Sequence, residues 1–235
     1  LVLAWAISVV NGLNKHEANP NTNFIVTADI DMAANIWVPI GTNNYPYTGT
    51  FDAQGHVITG VHSPLNSENM GTFGIINGGT VENMIVSVDF SGGNSVNMGG
   101  VAAVVNGEGS TISNVEAAGN ITGTSTTEAI GGIVAVVNPP TGTNPDPQII
   151  GNVFSVATMT ATNPETHIGG LVGDNAADLI NSYANATMSG SDHIGGLVSM
   201  NKGHIENCYS VIGEQTCPAF ADVNVKNDDF TGVIK

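Results

Sequence analysis

At 235 residues, with 41% hydrophobic and only 10% charged positions, the chain is long enough for one large domain and apolar enough to fill its core. Twenty acidic residues stand against four lysines (Lys15, Lys202, Lys226 and Lys235), arginine is absent, and the formal net charge is −16. Such a chain repels phosphate backbones, which excludes nucleic acid as a partner and disfavours anionic membrane surfaces. No apolar run reaches the eighteen or so residues needed to span a bilayer, so no membrane insertion is expected.

In chain order, Leu1 to Val10 is apolar but lacks a basic leader, a small-residue cleavage site and an initiating Met. It reads not as a signal peptide but as the start of an excised or processed fragment. Its pattern predicts a helix over Leu1–Asn11, stopped by Asn11-Gly12, with Gly12 at the position that favours positive φ. A solenoid needs its open end covered, so residues 1–23 are expected to form an N-terminal cap with Trp5 in its core. A distinct block follows: Phe24 to Asp31, then Trp37-Val38-Pro39-Ile40-Gly41, Tyr47 to Asp52, and Gly55-His56-Val57-Ile58.

From there a recurring unit takes over. Gly-Gly pairs flanked by aliphatic residues begin at Gly99, Gly131, Gly169 and Gly195, spaced by 32, 38 and 26 residues, with a degenerate copy at Gly71. Each is followed by an aliphatic residue, a spacer and Asn, which marks a column at Asn83, Asn114, Asn152, Asn181 and Asn207. After each Asn the chain alternates with period two, as a half-buried strand does. Met84, Val115, Val153, Ser182 and Cys208 begin the inward column, while Ile85, Glu116, Phe154, Tyr183 and Tyr209 fall on the outward one. Asn tolerates left-handed backbone, and its amides can bond one another between coils stacked about 4.8 Å apart. The Gly-Gly pairs are expected to permit positive φ and close approach between coils. Both features point to a structural role.

The block from Phe24 to Ile58 resembles the run that opens β-helical segments in many bacterial surface proteins. The repeats resemble the GLUG motif, best in Gly169-Gly170-Leu171-Val172-Gly173-Asp174-Asn175 through Asn181-Ser182-Tyr183-Ala184. The resemblance extends from Leu1 to about Gly213. It departs from the pattern at Ala53-Gln54, which replaces the usual Gly-Asn, and at the Pro-rich insertion Pro139 to Pro147, which reads as a loop leaving the side of the solenoid. Such motifs occur in adhesin-like and haemagglutinin-like proteins, and beside the protease domain of immunoglobulin A1 protease-like proteins. The resemblance thus implies a fold and a secreted or cell-surface bacterial setting more than an activity.

Several side-chain groups invite chemistry. Asp29, Asp31 and Asp52 could hold calcium, the one cofactor the sequence leaves open, though their blander role is to bond turn backbone. His167 and His193 each sit two residues before a Gly-Gly in successive coils and are expected to stack outside, too few to make a zinc site. Cys208 and Cys217 could close the last coil as a disulfide; a buried free thiol at Cys208 fits equally well. If sugars bind, Trp37, Tyr45 and Tyr47 are the aromatic candidates, with Trp37 also suited to anchoring the first coil.

The expected architecture is therefore all-β: a right-handed parallel β-helix of about five or six coils with an N-terminal capping helix. Residues 24–220 form the solenoid and 221–235 a C-terminal cap or the start of a following module. The expected role is a non-catalytic extracellular module, a rigid spacer and recognition surface for a host or glycan within a larger protein. The competing readings are a glycan-processing β-helix using acidic residues and a self-associating structural module.

Overall fold

The computed structural model describes all residues except 1–6, 13–16, 92, 142, 144, 212–220, 225–229 and 232–235. Over the described residues the chain is a parallel β-solenoid in which every strand pair is parallel, built as a 14-stranded, a six-stranded and a five-stranded sheet. One coil shows the plan. Asn97–Gly99 lies in the five-stranded sheet, Ala102–Asn106 in the six-stranded sheet and Thr111–Thr122 in the long sheet, after which Ala129–Gly131 begins the next coil. The sequence repeat and the spatial repeat coincide: Ile130 pairs with Met98 and Ile168, Val134 with Ala102 and Val172, and Ile112 with Val81 and Ile150.

The Asn column bends the long sheet. Asn83, Asn114, Asn152, Asn181 and Asn207 all have positive φ, between 50° and 55°, and Gln54 takes the same conformation (51°) one coil earlier. In a straight strand Ile112 and Val115, three apart, would face opposite sides. The left-handed residue between them turns the chain so that both are buried, and the inward column from Met84 to Ala117 follows the predicted parity. Part of the column is also a hydrogen-bonded ladder: Asn114 Nδ2 donates to Asn83 Oδ1 (3.1 Å), and Asn207 Nδ2 to Asn181 Oδ1 (3.3 Å). Two further amide pairs mark adjacent positions of another corner, Asn138 donating to Asn106 at 2.8 Å and Asn175 to Asn201 at 2.9 Å.

The Gly-Gly pairs serve close approach alone. None of their glycines has a positive φ. That expectation fails because the left-handed turns are made by Asn, and the Gly pairs sit on extended corners where space is the constraint. A Cβ on Gly100, Gly132 or Gly170 would strike the carbonyl of the equivalent glycine one coil on, Gly132, Gly170 and Gly196 in turn.

The core changes along the axis. In the first coils it is aromatic: Trp37, Tyr47, Phe51 and Phe73 are all fully buried, with ring centroids 5.3 Å apart for Phe51–Phe73 and 5.4 Å for Tyr47–Phe73. In later coils it is Ile, Leu, Val, Met and Ala. At the N-terminal end residues 7–10 are helical, Ile7 and Val10 join the core, and Gly12 has φ +66° as expected. Asn11 ties this turn to the first coil by donating to Pro39 O and accepting from Gly41 N, both at 2.9 Å. Trp5 lies outside the described residues. The Pro-rich insertion leaves the solenoid between Val134–Val137 and Ile149–Ser155, and Gln148 Nε2 closes its neck on Asn138 O at 2.7 Å. Ala221–Asn224 and Phe230–Thr231 pair with Val198–Asn201 and Ile205–Glu206, so these two strands continue the stacking.

Candidate functional site

An open groove of about 660 Å³ runs along the outside of the long sheet at the Asn bend. It is lined by Gln54, Asn83, Asn114 and Asn152 on one side and by Ile85, Glu116, Phe154 and Tyr183 on the other. Both rows follow from the repeat. The first is the left-handed column itself. The second is the outward column two residues later, whose members lie in register from Val57 through Ile85, Glu116, Phe154 and Tyr183 to Tyr209. Its lower members form a stack: ring centroids are 4.0 Å apart for Phe154–Tyr183 and 5.0 Å for Tyr183–Tyr209, with the latter pair only 6° from parallel. The coil spacing of about 4.8 Å suits ring stacking, so aromatic residues placed at the same point of successive coils fall into contact.

The aromatics singled out from sequence part company here. Trp37 is fully buried, with Nε1 donating to the carbonyls of Gly71 (3.1 Å) and Thr72 (3.2 Å). Tyr47 is equally buried; its hydroxyl donates to Thr22 O at 3.0 Å, and burial pushes its pKa well above the ordinary tyrosine value. Rings so enclosed have no face to offer a sugar, because the first coil needs bulk to fill its interior. Tyr45 alone of the three is open to solvent, on a tight turn closed by Thr42.

The three aspartates each fasten a turn. Asp29 Oδ1 accepts from Val57 N and lies against His56 Nδ1, both at 3.0 Å, and these contacts hold its carboxyl below the usual range. Asp31 Oδ1 accepts from Ala33 N at 2.9 Å. Asp52 Oδ1 accepts from Asn83 Nδ2 (3.0 Å) and Gln54 N (2.8 Å), which lowers its pKa in that order of importance. Among the described residues no three His, Cys, Asp or Glu side chains gather into a group that could hold a metal ion.

The expected His column forms: His167 and His193 are in register, their rings edge to face with centroids 5.5 Å apart and planes at 83°. Each meets its own carboxylate. His167 Nδ1 lies 2.6 Å from Asp174 Oδ1, and His193 Nε2 lies 3.5 Å from Glu165 Oε2. Cys208 is buried with a free thiol, its Sγ directed at the carbonyls of Glu206 (3.2 Å) and Leu179 (3.4 Å), and burial pushes its pKa up to about 11. Cys217 lies outside the described residues, and with it the proposed pairing.

Sequence reading placed the outward column correctly but did not join it to the Asn column as one groove. The signal was there in part: Gln54 takes the same left-handed conformation as the Asn column, so the amide row begins one coil before the first repeat.

No protein-family model matches the chain, and none of the curated proteins does. A solved structure, the crystal structure of a "putative immunoglobulin A1 protease from Bacteroides ovatus", is similar at a TM-score of 0.59 and 24% identity, over 92% of this chain and 78% of that one. At this identity the likeness shows the fold. The solenoid expected from the resemblance to surface-protein β-helices is thus also the fold of a protein carrying that description.

Proposed function

We propose that the chain is a non-catalytic extracellular module of a larger bacterial surface protein, a rigid spacer that also presents a recognition surface to a host or glycan. The observation that carries this reading is the groove: an elongated outer surface lined by a row of amides and by aromatic rings, on a scaffold that contacts itself coil upon coil. The Bacteroides ovatus protein described as a "putative immunoglobulin A1 protease" shares this scaffold. Binding is preferred to cleavage because glycoside hydrolysis uses a pair of carboxylates about 5–10 Å apart, and the groove lining holds one, Glu116. Calcium stands outside the proposal, since the three aspartates are engaged with separate turns.

The test is adhesion. Beads coated with the full chain are expected to be retained on a mucin layer, and a net-charge-matched protein is not. Retention no better than that control would leave the spacer role and remove the recognition role.

A further inference from the structure

We infer that the groove binds an extended, electrically neutral oligosaccharide, with Phe154 as its stacking wall and Asn152 as its principal hydrogen-bonding group; this rests on the recognition reading and names its ligand.

Three observations converge on the coil that carries these two residues. Phe154 is the last ring of the stack on the Glu116 side. Tyr183 covers one of its faces, and the other borders the open part of the groove, where the neighbour in register is Glu116 instead of a fourth ring. The negative face of an aromatic ring attracts weakly positive C–H groups such as those on the apolar side of a pyranose.

The amide ladder is interrupted at the same coil. Asn83 donates to Asp52 and Asn114 to Asn83, and the ladder resumes with Asn207 on Asn181. Asn152 between them is exposed, lines the groove and makes no side-chain hydrogen bond to any described residue. A free amide offers two donors and two acceptor lone pairs, the pattern that a sugar's vicinal hydroxyls or acetamido group matches. Asn114 Oδ1, one coil away, adds a further acceptor.

Size and charge narrow the occupant. A volume of about 660 Å³ lies within the range of small-molecule sites. From Gln54 to Tyr183 the lining crosses four coil steps, about 19 Å at the usual strand spacing, which calls for an elongated ligand. Among the described residues no Lys lines the groove, Glu116 does, and the chain carries a net charge of −16, which disfavours uronates, sulfates and phosphates.

Calorimetric titration of the full chain with cellohexaose, xylohexaose and N-acetylchitohexaose, and with hexagalacturonate as the acidic counterpart, tests this. At least one neutral hexasaccharide is expected to bind and the acidic one not. Phe154→Ala and Asn152→Ala should each weaken binding about tenfold, and Phe154→Trp should retain it, with far-UV circular dichroism unchanged in all three. Neutral binding indifferent to Phe154→Ala overturns the site while leaving the recognition reading intact. Loss on Tyr45→Ala with Phe154→Ala unaffected moves the site to the N-terminal turn and also overturns it. Binding of hexagalacturonate alone refutes the charge argument. Silence of all four sugars overturns the proposal, while mucin retention separately decides whether the chain recognises anything.

Discussion

The first coils bury most of their aromatic rings, Tyr45 apart; the described rings of the later coils stand outside. Trp37, Tyr47, Phe51 and Phe73 fill the interior of the N-terminal end, whereas Phe154, Tyr183 and Tyr209 stack along the outer wall over a core of Val153, Ala184 and Cys208. The same parallel ladder supports both arrangements, so the difference does not lie in the backbone. It lies in what each region must accomplish. The end coil has to close the solenoid under the cap and needs volume, and the middle coils are narrowed by their Gly-Gly corners and accept small residues. A ring inside contributes packing, whereas a ring outside contributes a surface that a ligand can meet.

Mutations can break or sharpen this contrast. The largest effect is expected from Trp37→Ala, which should cost about 3–5 kcal/mol in chemical denaturation by emptying a site that is fully enclosed and losing two hydrogen bonds. Next comes Gly170→Ala, whose Cβ would meet the Gly196 carbonyl and, at 2.8 Å, the Ala184 Cβ; about 1–3 kcal/mol is expected, read as a lower denaturation midpoint. Asn114→Ala should cost about 1–2 kcal/mol because alanine resists the left-handed region, and Asn114→Gly should recover most of it; equal costs for the two would show that the amide ladder, and not φ, matters there.

Tyr183→Ala, which removes the middle ring of the outer stack, should cost only about 0.5–1.5 kcal/mol. A loss as large as that at Trp37 would erase the distinction between inner and outer rings. The smallest effect concerns pH. Because the folded-state pKa of Asp52 lies below its ordinary value, the stability it contributes is complete above the ordinary carboxylate range and is lost as pH falls through the lowered value. Asp52→Asn should therefore flatten the acid limb of the stability curve slightly, and an unchanged limb would show that exposure screens the contact entirely.

Much of this was legible from residue spacing. Asn tolerates a conformation that few other residues adopt, so its recurrence at Asn83, Asn114, Asn152, Asn181 and Asn207 located the bends and, through them, the buried and exposed columns. The glycines were harder to read, since both positive φ and lack of space select Gly, and the sequence does not say which constraint applies. Tyr47 was hard to read for a similar reason: it stands in a turn-rich stretch beside the exposed Tyr45, yet reaches back into the coil, whereas Trp37 takes the anchoring position for which the sequence also suited it.

The sequence by itself determined the period, the strand alternation and the residue types at each corner, because a stacked solenoid repeats its local constraints every coil and prints them as a pattern. Only the tertiary structure decided which columns share a surface. Asn152 and Phe154 face the same groove because a left-handed residue turns the sheet between its two halves. Which amide is left without a partner depends on contacts between coils that no single repeat contains.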